Sequence, residues 1–134
     1  MSPPETRALE ILVVDDNPFV GAALVRYLRM LGHQACWDRS GPSASSRISR
    51  GERFDMVLAD VTMAGMNGLE FSERALSIDE GLGGRIVAMT GGADRPTLAA
   101  FEKLRIEVIT KPFDYDLLHE ILDRIPARAP PPDL

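Results

Sequence analysis

The stretch "ILVVDDNP", Ile11 to Pro18, is an apolar, β-branched run that ends in two adjacent carboxylates. Consecutive apolar residues without polar alternation mark a parallel strand covered on both faces. Asn17 then offers a helix N-cap, and Pro18 suits the first helical position. Asp15 and Asp16 therefore sit at a strand-to-helix junction, where they repel each other unless a positive charge lies between them.

The same pattern recurs along the chain. "QACWD" (34–38), "DMVLAD" (55–60), "RIVAMT" (85–90) and "EVIT" (107–110) read as further strands, with the first ending near residue 15. In the first helix Val20, Leu24, Tyr27, Leu28 and Leu31 form one stripe, closed by Gly32. Asn67 and Glu70 read as a capping box for the third helix. Asp114 caps the fifth, with Phe113 and Leu118 as a hydrophobic staple and Leu118, Ile121, Leu122 and Ile125 as its buried face. Helices near 42–51 and 94–104 carry weaker patterns. Five strand–helix units predict an α/β fold, a five-stranded parallel sheet with right-handed crossovers and helices on both faces.

At 134 residues the chain suits one domain. Residues 9–125 read as the folded unit, 1–8 as an N-terminal extension, and the Pro-rich 126–134 as a tail or linker stub. Fifteen basic against 20 acidic residues give a net charge of −5, which argues against a nucleic-acid surface. The single Cys36 cannot form an internal disulfide, in keeping with a reducing cytoplasm. "MSPPETRALE" lacks a signal peptide's apolar centre, and no apolar run approaches the ~18 residues of a membrane span. The start at Met1 favours an intact N-terminus, and the tail suits either a stand-alone protein or part of a longer one.

In an open parallel sheet, ligands bind outside the carboxyl ends of the strands. Asp15 and Asp16 end the first strand, Asp60 the third and Thr90 the fourth, and Lys111 follows the fifth. All five converge on one rim. Three carboxylates with no nearby histidine or cysteine suit a hard cation, most simply Mg²⁺. A lysine and a hydroxyl beside it add donors for phosphoryl oxygens. His33 and His119 read as surface residues, Cys36 and Trp37 as partly buried packing, and 39–51 as an exposed helix with loops.

"VVDDN" (13–17), "VLADVTMAGMNG" (57–68), "VAMTGG" (87–92) and "TKPF" (110–113), in this order and each at a strand end, resemble the receiver domains of response regulators from two-component signalling. The resemblance spans about residues 9–125 and implies a doubly wound, flavodoxin-like (βα)5 fold. It implies a phosphoacceptor switch, charged by a histidine kinase or histidine phosphotransfer protein, rather than an enzyme with a separate substrate. Asp60 matches the phosphoacceptor, Thr90 the switch hydroxyl and Lys111 the lysine, with a cis Lys111–Pro112 bond. Mg²⁺ would be held by Asp15, Asp16, Asp60 and the backbone carbonyl of Thr62, Asp15 acting mainly through water. Thr62 and Gly92 match the positions flanking the phosphoryl group. A downstream protein or a second copy of the chain would read the change.

The chain also departs from that pattern. Ala64 stands where proline is common, which implies a looser loop, and Val108 replaces the switch aromatic before "TKPF". The second departure supports an alternative reading, a receiver-like interaction module independent of phosphate. A phosphohydrolase of the haloacid-dehalogenase type would carry Asp-x-Asp at its nucleophile, where this chain has Asp60-Val61-Thr62.

Overall fold

The computed structural model describes residues 8–112 and 114–129. Phe113, and with it the staple expected against Leu118, lies outside the described residues, as do 1–7 and 130–134 of the terminal segments.

The elements alternate throughout: β1 (Glu10–Val14), α1 (Pro18–Met30), β2 (Gln34–Asp38), α2 (Gly41–Ser49), β3 (Met56–Asp60), α3 (Gly68–Ile78), a 3-10 turn (Glu80–Leu82), β4 (Ile86–Thr90), α4 (Arg95–Lys103), β5 (Glu107–Thr110) and α5 (Tyr115–Arg124). The strands form one parallel sheet in the order β2-β1-β3-β4-β5. Strand order reverses between β1 and β3, so a crevice opens beyond their carboxyl ends.

Period-two alternation divides the core into two layers. Ile11, Val13, Met56, Leu58, Val87 and Met89 pack with Leu24 and Leu28 of α1 and Leu118, Ile121 and Leu122 of α5. Leu12, Val14, Val57, Ala59, Ile86 and Ala88 pack on the other face with Ile48, Phe71 and Phe101 from α2, α3 and α4. Phe71 and Phe101 are wholly buried, so truncating either to alanine costs about 3–5 kcal/mol. Phe101 is the sole fully buried residue of α4, which leaves that helix held by one large side chain.

The helix ends follow the local chemistry. The Asn17 carboxamide accepts from the Phe19 and Val20 amides, and Asn67 and Glu70 form the reciprocal capping box. Asp114 accepts from the Asp116 amide at 2.8 Å. At the end of α1 the Gly32 amide donates to Arg29 O and the His33 amide to Leu28 O, a Schellman motif. The same two bonds close α4, from Arg105 to Glu102 O and from Ile106 to Phe101 O. There the left-handed position falls on Arg105, at φ 57°, a conformation a side chain disfavours.

Two residues sit differently from their sequence reading. Leu31, expected on the apolar stripe, is the C-cap of α1 and is 36% exposed. His33, expected at the surface, is buried, and its Nδ1 accepts from the Leu9 amide at 3.0 Å. The Schellman turn is the reason, because it directs the residue after Gly32 back toward the domain. His119 is exposed, 3.5 Å from Asp123. Within 39–51, Ala44, Ser45 and Ile48 form a buried face on α2.

Beyond α5 the chain runs back beneath the sheet. The Arg128 amide donates to Asp55 Oδ1 at 2.7 Å, and its guanidinium clamps both carboxylate oxygens of Asp79 at 2.7 and 3.0 Å. This fork holds the Asp79 carboxyl below the usual carboxylate range. The other Asp55 oxygen accepts from the Glu10 amide at 2.7 Å, joining the start of β1 to the same anchor.

Candidate functional site

Asp15, Asp16, Asp60, Thr90 and Lys111 meet at the carboxyl-terminal rim, beside the reversal in strand order. One carboxylate oxygen from each of Asp15, Asp16 and Asp60 lies within 4.8 Å of the others. Asp15 is fully buried, Asp60 is 7% exposed, and Asp16 faces solvent.

Every polar atom of Asp15 is engaged. Its amide donates to Asp38 O at 3.1 Å, and its carbonyl accepts from the Trp37 indole N–H at 2.7 Å. Its Oδ1 accepts from the Asn17 amide at 2.9 Å and its Oδ2 from Lys111 Nζ at 3.1 Å. The exposed Asp16 carboxylate accepts from the Ala64 amide at 3.2 Å, its one bond among the described residues. Proline at position 64 would lack that N–H. The departure expected to loosen this loop thus supplies a tether of its own.

Asp60 Oδ2 lies 3.5 Å from Lys111 Nζ, and Oδ1 accepts from the Thr62 amide at 3.3 Å. Burial raises the Asp60 pKa above the ordinary carboxylate value, and the Asp15 charge raises it further. Lys111 and the Thr62 N–H work in the opposite direction. Gly68, the first residue of α3, closes over the backbone of Asp60. A Cβ there would stand 2.3 Å from Asp60 O, so only glycine allows α3 to begin so close.

Thr90 is buried at the end of β4, and its Oγ1 accepts from the Gly92 amide at 3.0 Å. Its carbonyl accepts from the Lys111 amide at 2.6 Å, which ties β4 to the start of the β5–α5 connection. The Lys111–Pro112 bond is cis. Val108 is half-buried against the α2–α4 face of the core.

An all-oxygen donor set fits a small hard cation, and the exposed side at Asp16 leaves room for the waters such an ion retains. The sequence reading did not single out Trp37, Gly68 or the Ala64 amide as parts of this site. The glycine before "LEF" and the tryptophan next to the end of β2 were visible signals. Their targets, the backbone oxygens of Asp60 and Asp15 and the Asp16 carboxylate, were not.

The family model for the response regulator receiver domain matches residues 11–123. Sporulation initiation phosphotransferase F of Bacillus subtilis is 30% identical over 116 residues, covering 86% of this chain and 91% of that protein. The response regulator receiver protein CpdR of Brucella abortus is 32% identical over 118 residues, covering 83% and 92%. The chain spans about a quarter of the transcriptional regulatory protein ZraR of Salmonella typhimurium, with 31% identity over 117 residues, 87% of this chain and 26% of that one. Among solved structures, a response regulator receiver protein from Pseudomonas putida superposes with a TM-score of 0.80 at 23% identity, over 88% of this chain and 98% of that one. The receiver domain of the sensor histidine kinase PA1611 from Pseudomonas aeruginosa, solved with a magnesium ion in its active-site cleft, gives 0.77 at 26% identity, over 89% and 98%. Among the described residues no helix is long and apolar enough to cross a membrane. With its sheet order, its acidic rim and a match over nearly the whole chain, the protein belongs to the response regulator receiver domain family, the phosphoacceptor switches of two-component systems.

Proposed function

We propose that this receiver domain accepts a phosphoryl group on Asp60 from the phosphohistidine of a histidine kinase or histidine phosphotransfer protein, with Mg²⁺ bound. The observation that carries the reading is the convergence of three carboxylates within 4.8 Å, with Lys111 3.5 Å from Asp60. Asp15, Asp16 and Asp60 through carboxylates, and Thr62 through its carbonyl, would hold the ion. When bound it neutralises and orients phosphoryl oxygens. The magnesium ion in the PA1611 receiver domain supports this choice of cation.

An Asp60 carboxylate oxygen attacks phosphorus. The new O–P bond forms as the N–P bond breaks, and the imidazole nitrogen keeps the electron pair. Lys111 places a compact positive charge on one phosphoryl oxygen. The Thr90 hydroxyl donates to another, a contact that exists only in the phosphorylated state and so biases the two-state equilibrium. Water hydrolyses the acyl phosphate and resets the switch. A downstream protein or a second copy of the chain reads the altered surface.

Intact-mass measurement after incubation with acetyl phosphate tests the assignment. One phosphoryl group is expected on the wild type in the presence of Mg²⁺, and none on Asp60→Asn. Equal incorporation by both proteins would refute it. Val108, half-buried where an aromatic switch would move, favours a second reading, an interaction module indifferent to phosphate. Partner binding that is unchanged by phosphorylation would select that one.

A further inference from the structure

We infer that Trp37 is a positioning residue for the acidic pocket, its indole N–H fixing the Asp15 carbonyl and thereby the loop that carries both aspartates. The inference rests on the cation-binding reading of that pocket.

Three independent observations converge on this residue. The indole Nε1 donates to Asp15 O at 2.7 Å, a short bond for its type. β2 pairs with β1 so that Val13 faces Trp37 and Val14 faces Asp38, and the Asp38 carbonyl takes the Asp15 amide. The last two residues of β2 therefore hold both backbone groups of Asp15. Finally, the ring lies directly against α1. A Cβ on Gly21 would stand 2.3 Å from Nε1 and 2.5 Å from Cδ1, so the indole occupies the volume that any other residue 21 would need.

The peptide group links this bond to the metal-binding side chains. The Asp15 carbonyl and the Asp16 amide share one rigid plane. Fixing the oxygen fixes the direction in which Asp16 leaves β1. Among the described residues one further contact restrains Asp16, the Ala64 amide, so the orientation of that plane decides where its carboxylate stands. Asp15 is fully buried, and water cannot readily replace a lost donor to its carbonyl. Without the indole N–H the plane is free to turn, and the two carboxylates lose their preset spacing.

Trp37→Phe removes the N–H and keeps an aromatic ring. Calorimetric titration with Mg²⁺ is expected to show about fivefold weaker binding, the scale of one neutral hydrogen bond. Phosphorylation of Asp60 by acetyl phosphate is expected to slow at limiting Mg²⁺ and to recover at saturating Mg²⁺. A residue that only packs would lower thermal stability and leave the folded protein's Mg²⁺ affinity unchanged, and unchanged affinity overturns the inference. Should the variant not fold, the wild type still decides, because Trp37 is its one tryptophan. Its emission should change on Mg²⁺ addition with the calorimetric midpoint. A binding isotherm with no change in emission overturns the inference alone. A wild type that binds no Mg²⁺ overturns the cation reading and this inference with it.

Discussion

The Lys111 ammonium stands 3.1 Å from a carboxylate oxygen of Asp15, a residue 96 positions earlier in the chain. It also reaches Asp60, at 3.5 Å, and so serves as the counter-charge of the acidic cluster. Lys111→Met leaves the buried Asp15 and Asp60 facing each other with one fewer opposing charge. The expected cost is about 2 kcal/mol in the absence of divalent cations, less than for a fully buried pair because the lysine is part-exposed. Mg²⁺ then replaces the missing charge, so it should raise the variant's melting temperature more than the wild type's. Thermal unfolding with and without Mg²⁺ measures both. Equal Mg²⁺-induced shifts would separate the lysine from the cation site.

Acyl-phosphate lifetime should be set at position 62. Thr62 and Gly92 are the small residues expected to flank a phosphoryl group on Asp60, and both are exposed. Gly92 has φ 147°, so a side chain there brings backbone strain as well as shielding. Thr62 carries no such penalty. Thr62→Tyr is expected to slow self-dephosphorylation several-fold by hindering the approach of water. Decay of phosphoprotein by intact mass checks this, and an unchanged rate would mean that access is not limiting.

Phosphorylation should loosen the segment from Gly91 to Leu104. In the resting structure Thr90 Oγ1 accepts from the Gly92 amide. A threonine that turns toward phosphate gives up or weakens that bond. α4 buries a single residue completely, and weakly anchored segments respond most to a small bias. Val108 is β-branched and stiff at χ1, so it has few rotamers through which to relay the change. Hydrogen exchange with and without beryllofluoride should show its largest differences in 91–104. Changes confined to α1 and α5 would refute this route.

Stability should fall as pH drops below the ordinary histidine range. His33 Nδ1 accepts from the Leu9 amide and must be unprotonated to do so. Burial holds the His33 pKa below the ordinary imidazole value of 6.5, with a smaller push from His119 and an opposing one from Asp123. The folded state therefore binds fewer protons than the unfolded state. The stabilisation is complete above 6.5 and is lost as pH falls through the folded value, at up to about 1.4 kcal/mol per pH unit. Urea unfolding across this window should show the slope, and His33→Asn, which can still accept from Leu9, should flatten it.

Much of this architecture was legible because it is written in local chemistry. β2 and β5 fall where their apolar runs predict, β3 and β4 begin one residue later than predicted, and β1 lies one residue earlier at both ends. The Asn17 cap and the Asn67–Glu70 box are contacts within three residues, which sequence spacing encodes directly. The acidic rim was legible because the carboxyl ends of parallel strands all lie along one edge of the sheet. His33 was not, since only the turn after Gly32 directs it inward. The Trp37–Asp15 bond left no trace either, because a side chain that meets a distant backbone carbonyl has no characteristic spacing or partner residue type. The Ala64 contact is similar, its donor being a backbone N–H that the residue name does not advertise.

Gly21 and Trp37 share one volume, and this restricts which of the two can change alone. A Cβ at position 21 would stand 2.3 Å from the indole nitrogen, so beside any other residue 21 the ring would have to leave the Asp15 carbonyl. The bond from Trp37 to Asp15 therefore depends on glycine at 21. With a smaller residue at 37, that glycine would leave an unfilled space beside the first helix and cost helix propensity of about 1 kcal/mol. The tryptophan fills that space, and a side chain at 21 would drive the ring off the Asp15 carbonyl. The pair works as a ratchet: position 37 can change while Gly21 stays, but Gly21 cannot change while Trp37 keeps its bond to Asp15.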